Sequence, residues 1–143
     1  MSRTSKTWTV SKSFKSKLLY WSNQFEDVCY LNTNFSEQES ATKHHSVDLL
    51  VAVESLSSLQ VSKSSFDELS SFLRKTEDWC FGHFSYDLKN ELEALSSTNR
   101  DLIDFPAIHF FIPRLVFELV GEACTVHYHE KDYREPEILE LFE

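Results

Sequence analysis

Hydrophobic positions change their period several times along this chain, and each change marks an element. Over residues 14–25 the large apolar side chains Phe14, Leu18, Trp21 and Phe25 recur at steps of four and three, which places them on one face of a predicted helix. Residues 27–31 alternate Val28 and Tyr30 with Cys29 and Leu31, a short strand stopped by Asn32, Thr33 and Asn34. Residues 35–46 are polar and aperiodic and read as a loop. Residues 47–53 are almost continuously apolar, as in a central strand covered on both faces, and Glu54 and Ser55 close it with a carboxylate and a hydroxyl. Ser65, Phe66, Asp67 and Glu68 form a capping-box pattern that opens a helix. Phe66, Leu69, Phe72 and Leu73 keep helical spacing there, and Arg74 and Lys75 fall in the last turn, where cations complement the helix dipole.

The most distinctive stretch follows. Trp79, Phe81, His83 and Ser85 point to one side of a predicted strand, and Cys80, Gly82, Phe84 and Tyr86 to the other. A glycine inside an aromatic strand marks a bulge or the close approach of another backbone or ligand. Residues 87–95 space Leu88, Leu92 and Leu95 for one or two helical turns, and 96–104 read as polar linker. Phe105 and Pro106 reopen extended structure, residues 108–112 form a strand interrupted at Pro113, and 115–120 pair with 123–129 through Gly121 and Glu122, a glycine-first loop suited to a type II′ hairpin. Pro136 sits near the start of a last short helix whose apolar face is Ile138, Leu139, Leu141 and Phe142.

Composition narrows this picture. The chain has 143 residues, enough for one domain, with 12 Phe, 5 Tyr and 3 Trp against only 2 Gly and 3 Pro, so aromatic packing outweighs tight turns. Residues 1–13 read as a basic polar arm and 14–143 as a single domain. The net charge is −9, and Arg3, Lys6, Lys12, Lys15 and Lys17 all precede the first acidic residue, Glu26. An acidic body argues against a nucleic-acid partner. No apolar run reaches the roughly 18 residues of a membrane span. Cys29, Cys80 and Cys124 are few, odd in number and set among apolar neighbours, as in a reducing compartment, so the expected location is cytoplasmic.

No constellation of residues specifies a reaction. His127 and His129 share a strand face with Cys124 nearby in sequence, but no Cys-x-x-Cys or His-Glu-x-x-His supplies further ligands, so no metal is expected in this chain. Ser85 and His83 also share a face, without a Gly-x-Ser-x-Gly elbow. Glu91 and Glu93 diverge on a helical segment and read as surface charge.

The run Phe81-Gly82-His83-Phe84-Ser85-Tyr86-Asp87-Leu88, preceded by Trp79 and followed by Phe105-Pro106 and an aromatic strand to Pro113, resembles the N-terminal domain of component I of the chorismate-using synthases: aminodeoxychorismate (para-aminobenzoate) synthase and anthranilate synthase. The order of the flanking elements agrees, so the resemblance spans nearly the whole chain, and Tyr86-Asp87-Leu88 is closer to the aminodeoxychorismate branch. It implies an α+β fold, mainly antiparallel β-sheet of sandwich-like form with a few packed helices. It also implies a non-catalytic role in the folate-precursor pathway. Chorismate amination and its magnesium would belong to a C-terminal catalytic domain with no counterpart in these residues, and ammonia would come from a glutamine amidotransferase subunit. The chain alone would then not be an enzyme, although the full-length parent would. Where the anthranilate branch carries Leu-Leu-Glu-Ser in a tryptophan pocket, this chain has Ala52-Val53-Glu54-Ser55, so Val53, Glu54 and Ser55 are the ligand-binding candidates the resemblance implies. Trp79, Gly82, Ser85, Tyr86, Asp87, Phe105, Pro106 and Pro113 are its structural signature. The alternative is a standalone module that binds a small molecule or a protein and has no tie to chorismate.

Overall fold

The computed structural model describes residues 3–33, 47–62, 65–93 and 105–140. In chain order these form β1 (Thr4–Thr9), α1 (Phe14–Ser22), β2 (Val28–Asn32), β3 (Leu49–Val61), α2 (Ser65–Lys75), β4 (Phe81–Phe84), a 3-10 turn (Tyr86–Leu88) running into α3 (Lys89–Glu93), β5 (Ile108–Val120), β6 (Ala123–Tyr128) and α4 (Glu135–Glu140). The six strands belong to one sheet, ordered β1-β6-β5-β3-β2, with β4 also paired to β5. The fold is α+β with a mostly antiparallel sheet. The chain divides into two compact units: a terminal unit from residues 2–54 and 113–143, and an inserted unit, Ser55–Ile112. Both β3 and β5 run from one unit into the other.

In the terminal unit, alternation decides the core. Val51 and Val53 of β3, Leu115, Phe117 and Leu119 of β5, and Cys124, Val126 and Tyr128 of β6 are buried in one cluster. Phe14 and Leu18 of α1 and Ile138 of α4 pack into the same cluster, and Trp21 meets Phe117 edge to face at 5.5 Å. The helical spacing read from Phe14 to Phe25 is therefore real, although α1 ends at Ser22 and Phe25 packs from the turn beyond it. The stretch read as a polar arm contains β1, paired antiparallel to β6 from Thr4↔Tyr128 to Thr9↔Ala123. Its only large apolar residue is Trp8, so no alternation announced it; its threonines are β-branched and suit an edge strand whose partner supplies the pairing. The basic residues are engaged as well. Arg3 donates from its guanidinium to the carbonyls of Pro113 (2.5 Å) and Arg114 (3.2 Å), and Lys6 pairs with Glu135 at 3.2 Å.

The β5–β6 connection is the two-residue loop expected, with Val120 opposite Ala123. Gly121 has φ +59° whereas Glu122 does not adopt positive φ, as a type II′ turn requires. Asp48 pins this end of the unit: its carboxylate accepts the Gly121 N–H at 2.6 Å, its own N–H donates to Leu119 at 2.8 Å, and its carbonyl accepts the N–H and hydroxyl of Thr33. Pro113 does not interrupt β5. It falls between the part of β5 that pairs β4 (Ile108 to Phe111) and the part that pairs β6 (Val116 to Val120), so its missing N–H removes no rung from either ladder. Glu54 and Ser55, expected at the end of a strand, lie inside β3, which continues to Val61.

In the inserted unit, β4 is shorter than the aromatic run implied. Four residues pair with β5, Phe81↔Phe111 to Phe84↔Ile108, and the chain then turns at once into the 3-10 segment and α3. Gly82 explains itself: a Cβ there would lie 2.0 Å from the His109 carbonyl oxygen and 2.6 Å from Phe110 Cα. The backbones approach too closely for any side chain. Leu69 of α2 packs with Leu88, Ala107 and Ile108, but Phe66 and Leu73 on α2 remain exposed. The capping box at Ser65, the loop 35–46, and the leucines at 92, 95, 139 and 141 with Phe142 lie outside the described residues or side chains.

The two glycines should respond differently to substitution. Gly82→Ala is expected to lose about 3 kcal/mol or more by urea unfolding, because rigid backbone must move. Gly121→Ala meets no neighbour within 4 Å and is expected to lose only about 1 kcal/mol, from the positive φ alone. Equal losses would contradict the close β4–β5 approach.

Candidate functional site

Glu54 is the one described non-glycine residue with positive φ, at 59°, in the middle of a long strand. An acidic residue in that conformation carries a cost of about 1–3 kcal/mol and persists only when its surroundings hold it. They do. Glu54 Oε1 accepts from Arg114 Nε at 3.2 Å, Oε2 accepts the Tyr133 hydroxyl at 2.7 Å, and the Glu54 N–H donates to the Asp27 carbonyl at 3.1 Å. Arg114 Nη1 also pairs with Asp132 Oδ1 at 3.3 Å. Two carboxylates thus share one guanidinium, leaving one surplus negative charge, and Asp132 Oδ2 is buried without a hydrogen-bond partner. Burial and the hydrogen bond to Glu54 push the Tyr133 phenol well above its usual range, so it stays a donor.

The three candidates from the sequence do not share one environment. Val53 is fully buried in the core and offers a ligand nothing. Glu54 faces the Arg114–Tyr133 latch, and Ser55, half-buried, opens the inserted unit. The open apolar depression in the terminal unit, lined by Tyr30, Leu31, Asn32, Thr33, Val47 and Leu50, lies elsewhere. In the β2–β3 ladder Val53 faces Val28, whereas the depression is at the far end, where Asn32 faces Leu49. Arg114, Asp132 and Tyr133 were not singled out from sequence; three residues far from Glu54 along the chain leave no local signal.

The signature residues occupy the inserted unit and its boundary. Pro106 and Pro113 are buried, and the Ser85 N–H donates to the Ala107 carbonyl at 2.9 Å. Tyr86 is 81% exposed with Lys89 Nζ 3.9 Å above its ring, and Asp87 is exposed. Trp79 is tilted against Phe81 at 6.2 Å, and Phe105, 57% exposed, stacks on His83 at 4.6 Å. Ser85 and His83 form no nucleophile–base pair: Ser85 Oγ and His83 Nε2 are both buried without a partner. Burial, with the His109 ring 5.9 Å away, lowers the His83 pKa below its ordinary value. Cys124 points into the core, on the opposite face of β6 from His127. Among the described residues no three His, Cys, Asp or Glu side chains are grouped to hold a metal ion. No helix among the described residues is long and apolar enough to cross a membrane.

Compared with protein-family models, with curated proteins and with solved structures, the chain matches none.

Tyr133→Phe should cost about 1 kcal/mol in urea unfolding by leaving the Glu54 carboxylate with one side-chain partner fewer, and no loss would mean that Arg114 alone holds the strained residue. The depressed His83 pKa means that the unfolded chain takes up a proton there before the folded one. Stability is thus full above the ordinary histidine value, about 6.5, and falls as pH drops below it. Replacing His83 with Phe should flatten that acid slope; an unchanged slope would place its origin in other groups.

Proposed function

We propose that this chain is the N-terminal, non-catalytic domain of an aminodeoxychorismate synthase component I, supporting a separate chorismate-aminating domain and holding an aromatic amino acid beside Glu54. The reading joins the sequence resemblance to one structural observation, the strained Glu54 clamped by Arg114 and Tyr133. Backbone strain held in place by a dedicated ion pair and hydrogen bond is the mark of a preorganised site. Arg114 and the acidic pair offer opposite charges, which an amino acid's carboxylate and ammonium complement. Core-facing Val53 is not part of that site in the proposal; Glu54 and Ser55 are.

The domain's other proposed contacts follow from its surface. The inserted unit exposes Phe66, Leu73, Trp79, Phe84, Tyr86 and Phe105. Apolar surface of this kind suits a face covered by another domain or subunit. Here the partners are the catalytic domain, which supplies the magnesium chemistry, and the glutamine amidotransferase subunit; the setting is cytoplasmic, and the sandwich-like form of component I domains goes with it. The fold and exposed aromatics alone also suit a binding module without chorismate, and ligand binding separates the two readings.

Calorimetry with tryptophan tests the site. Binding that is weakened about tenfold or more by Arg114→Met or Ser55→Ala is expected. No heat with the wild-type chain, or heat indifferent to both changes, would remove the amino acid from the proposal. Turnover of chorismate with ammonia and magnesium by the purified chain would overturn the non-catalytic assignment.

A further inference from the structure

A second polar constellation lies in the terminal unit, on three adjacent strands. Ser5 of β1 faces His127 of β6 in register, and Val116 of β5 faces the same histidine from the other side. The Ser5 hydroxyl is 2.9 Å from His127 Nδ1, and His127 Nε2 is 3.1 Å from Glu118 Oε2. One tautomer satisfies both contacts: Nε2–H donates to the Glu118 carboxylate, which leaves Nδ1 as the acceptor for the Ser5 O–H. A hydroxyl, an imidazole and a carboxylate are thereby placed in the order used to activate a serine. The two ring nitrogens exchange their usual roles, but proton relay needs only that one accepts while the other is held by the acid. Ser5 is exposed, and the side chains of His127 and Glu118 are 15% and 29% exposed, so the hydroxyl faces solvent while its base is sheltered. Arg3 lies two residues earlier, just before β1. Its Nη1 reaches the carbonyl of His127 at 3.4 Å, which fixes a positive charge next to the pair. By contrast, Ser11 and Ser13 hydrogen-bond to each other at 2.9 Å, a pairing that supplies no base.

We propose that Ser5 is an activated nucleophile, with His127 as its general base and Glu118 as the group that positions and stabilises the imidazolium, and that it accepts acyl groups from activated carboxylic esters. Ser5 Oγ bonds to the carbonyl carbon as its proton passes to His127 Nδ1. The C–O bond of the ester then breaks, its electron pair leaves with the alkoxide, and His127 returns the proton to that leaving group. Water attacks the acyl-serine by the same route and releases the acid. The carbonyl oxygen carries the transient negative charge of that addition. No pair of backbone N–H groups is committed to that oxygen, so the enhancement is the modest one of general-base assistance, about 100-fold over an ordinary serine. This inference uses none of the residues of the chorismate reading, whose non-catalytic assignment concerns chorismate amination alone.

The full chain is treated with an alkyl fluorophosphonate, and with p-nitrophenyl acetate in parallel, and modified residues are located by peptide mass mapping. Ser5 should be phosphonylated about 100-fold faster than Ser11 or Ser13. Glu118→Gln should slow the labelling about tenfold, His127→Gln should reduce it to the rate of the other serines, and Ser5→Ala should abolish both labelling at that position and p-nitrophenolate release above background. Ser5 is exposed, so Ser5→Ala tests the chemistry without disturbing the core, and circular dichroism checks that His127→Gln and Glu118→Gln are folded. Labelling of Ser5 no faster than Ser11, labelling that survives in folded His127→Gln, or ester hydrolysis that persists in Ser5→Ala with the imidazole itself acylated would each overturn the proposal.

Discussion

Three of the sheet's other strands pair directly with β5, which must be satisfied along its whole length. Thirteen residues carry it from Ile108 to Val120, and it is bonded to β3, β4 and β6. Residues on both of its faces are withdrawn from water: Leu115 and Phe117 on one, Val116 on the other. A strand buried on both sides cannot leave backbone groups unpaired, because each orphan would cost about 1–3 kcal/mol. That demand accounts for three local choices. Glycine at position 82 lets β4 approach its first half, proline at 113 sits where neither the β4 nor the β6 ladder requires an N–H, and the Arg3 guanidinium takes up carbonyls at Pro113 and Arg114.

How far such features can be read from sequence depends on whether their cause is local. The helix at Phe14, the apolar strand at Val51 and the Gly121 hairpin were legible because period and turn chemistry act over a few residues. The glycine in β4 was also legible as a close approach, although the partner, the His109 carbonyl, was not. Strand β1 was missed because Thr4 to Thr9 has no apolar rhythm and gains its structure from β6. The extent of β3 and β5 was misjudged for a related reason. Glu54-Ser55 and Pro113 are breakers by local rules, and long-range partners override both: the Arg114–Tyr133 clamp at Glu54, and the gap between two ladders at Pro113.

The same division applies to sites. Glu54 was reachable through a four-residue motif, but its chemistry depends on residues some sixty and eighty positions away, as the Tyr133 bond spanning 79 positions shows. Ser5, His127 and Glu118 meet on one face of the sheet only because β1 pairs with β6 and β6 with β5, which sets Ser5 opposite His127 and Glu118 on the diagonal from it. Sequence placed His127 on a strand with Cys124 nearby, and alternation sends Cys124 to the opposite, core face, where burial pushes its thiol up to about 12. Side-chain chemistry in a sheet is set by register, and register is a long-range property.

Asp48 carries an evolutionary consequence. Through its carboxylate, N–H and carbonyl it fastens Gly121, Leu119 and Thr33 together, so the chain leaves the sheet at Thr33 and rejoins it at a point already fixed by other bonds. The ends of β2 and β3 are thus held to the β5–β6 hairpin by bonds of their own. Lengthening the β2–β3 connection would add only about 0.6 kcal/mol of closure cost for each doubling. An acidic residue at position 48 is therefore expected wherever this sheet register is kept, because its carboxylate closes the hairpin turn at Gly121.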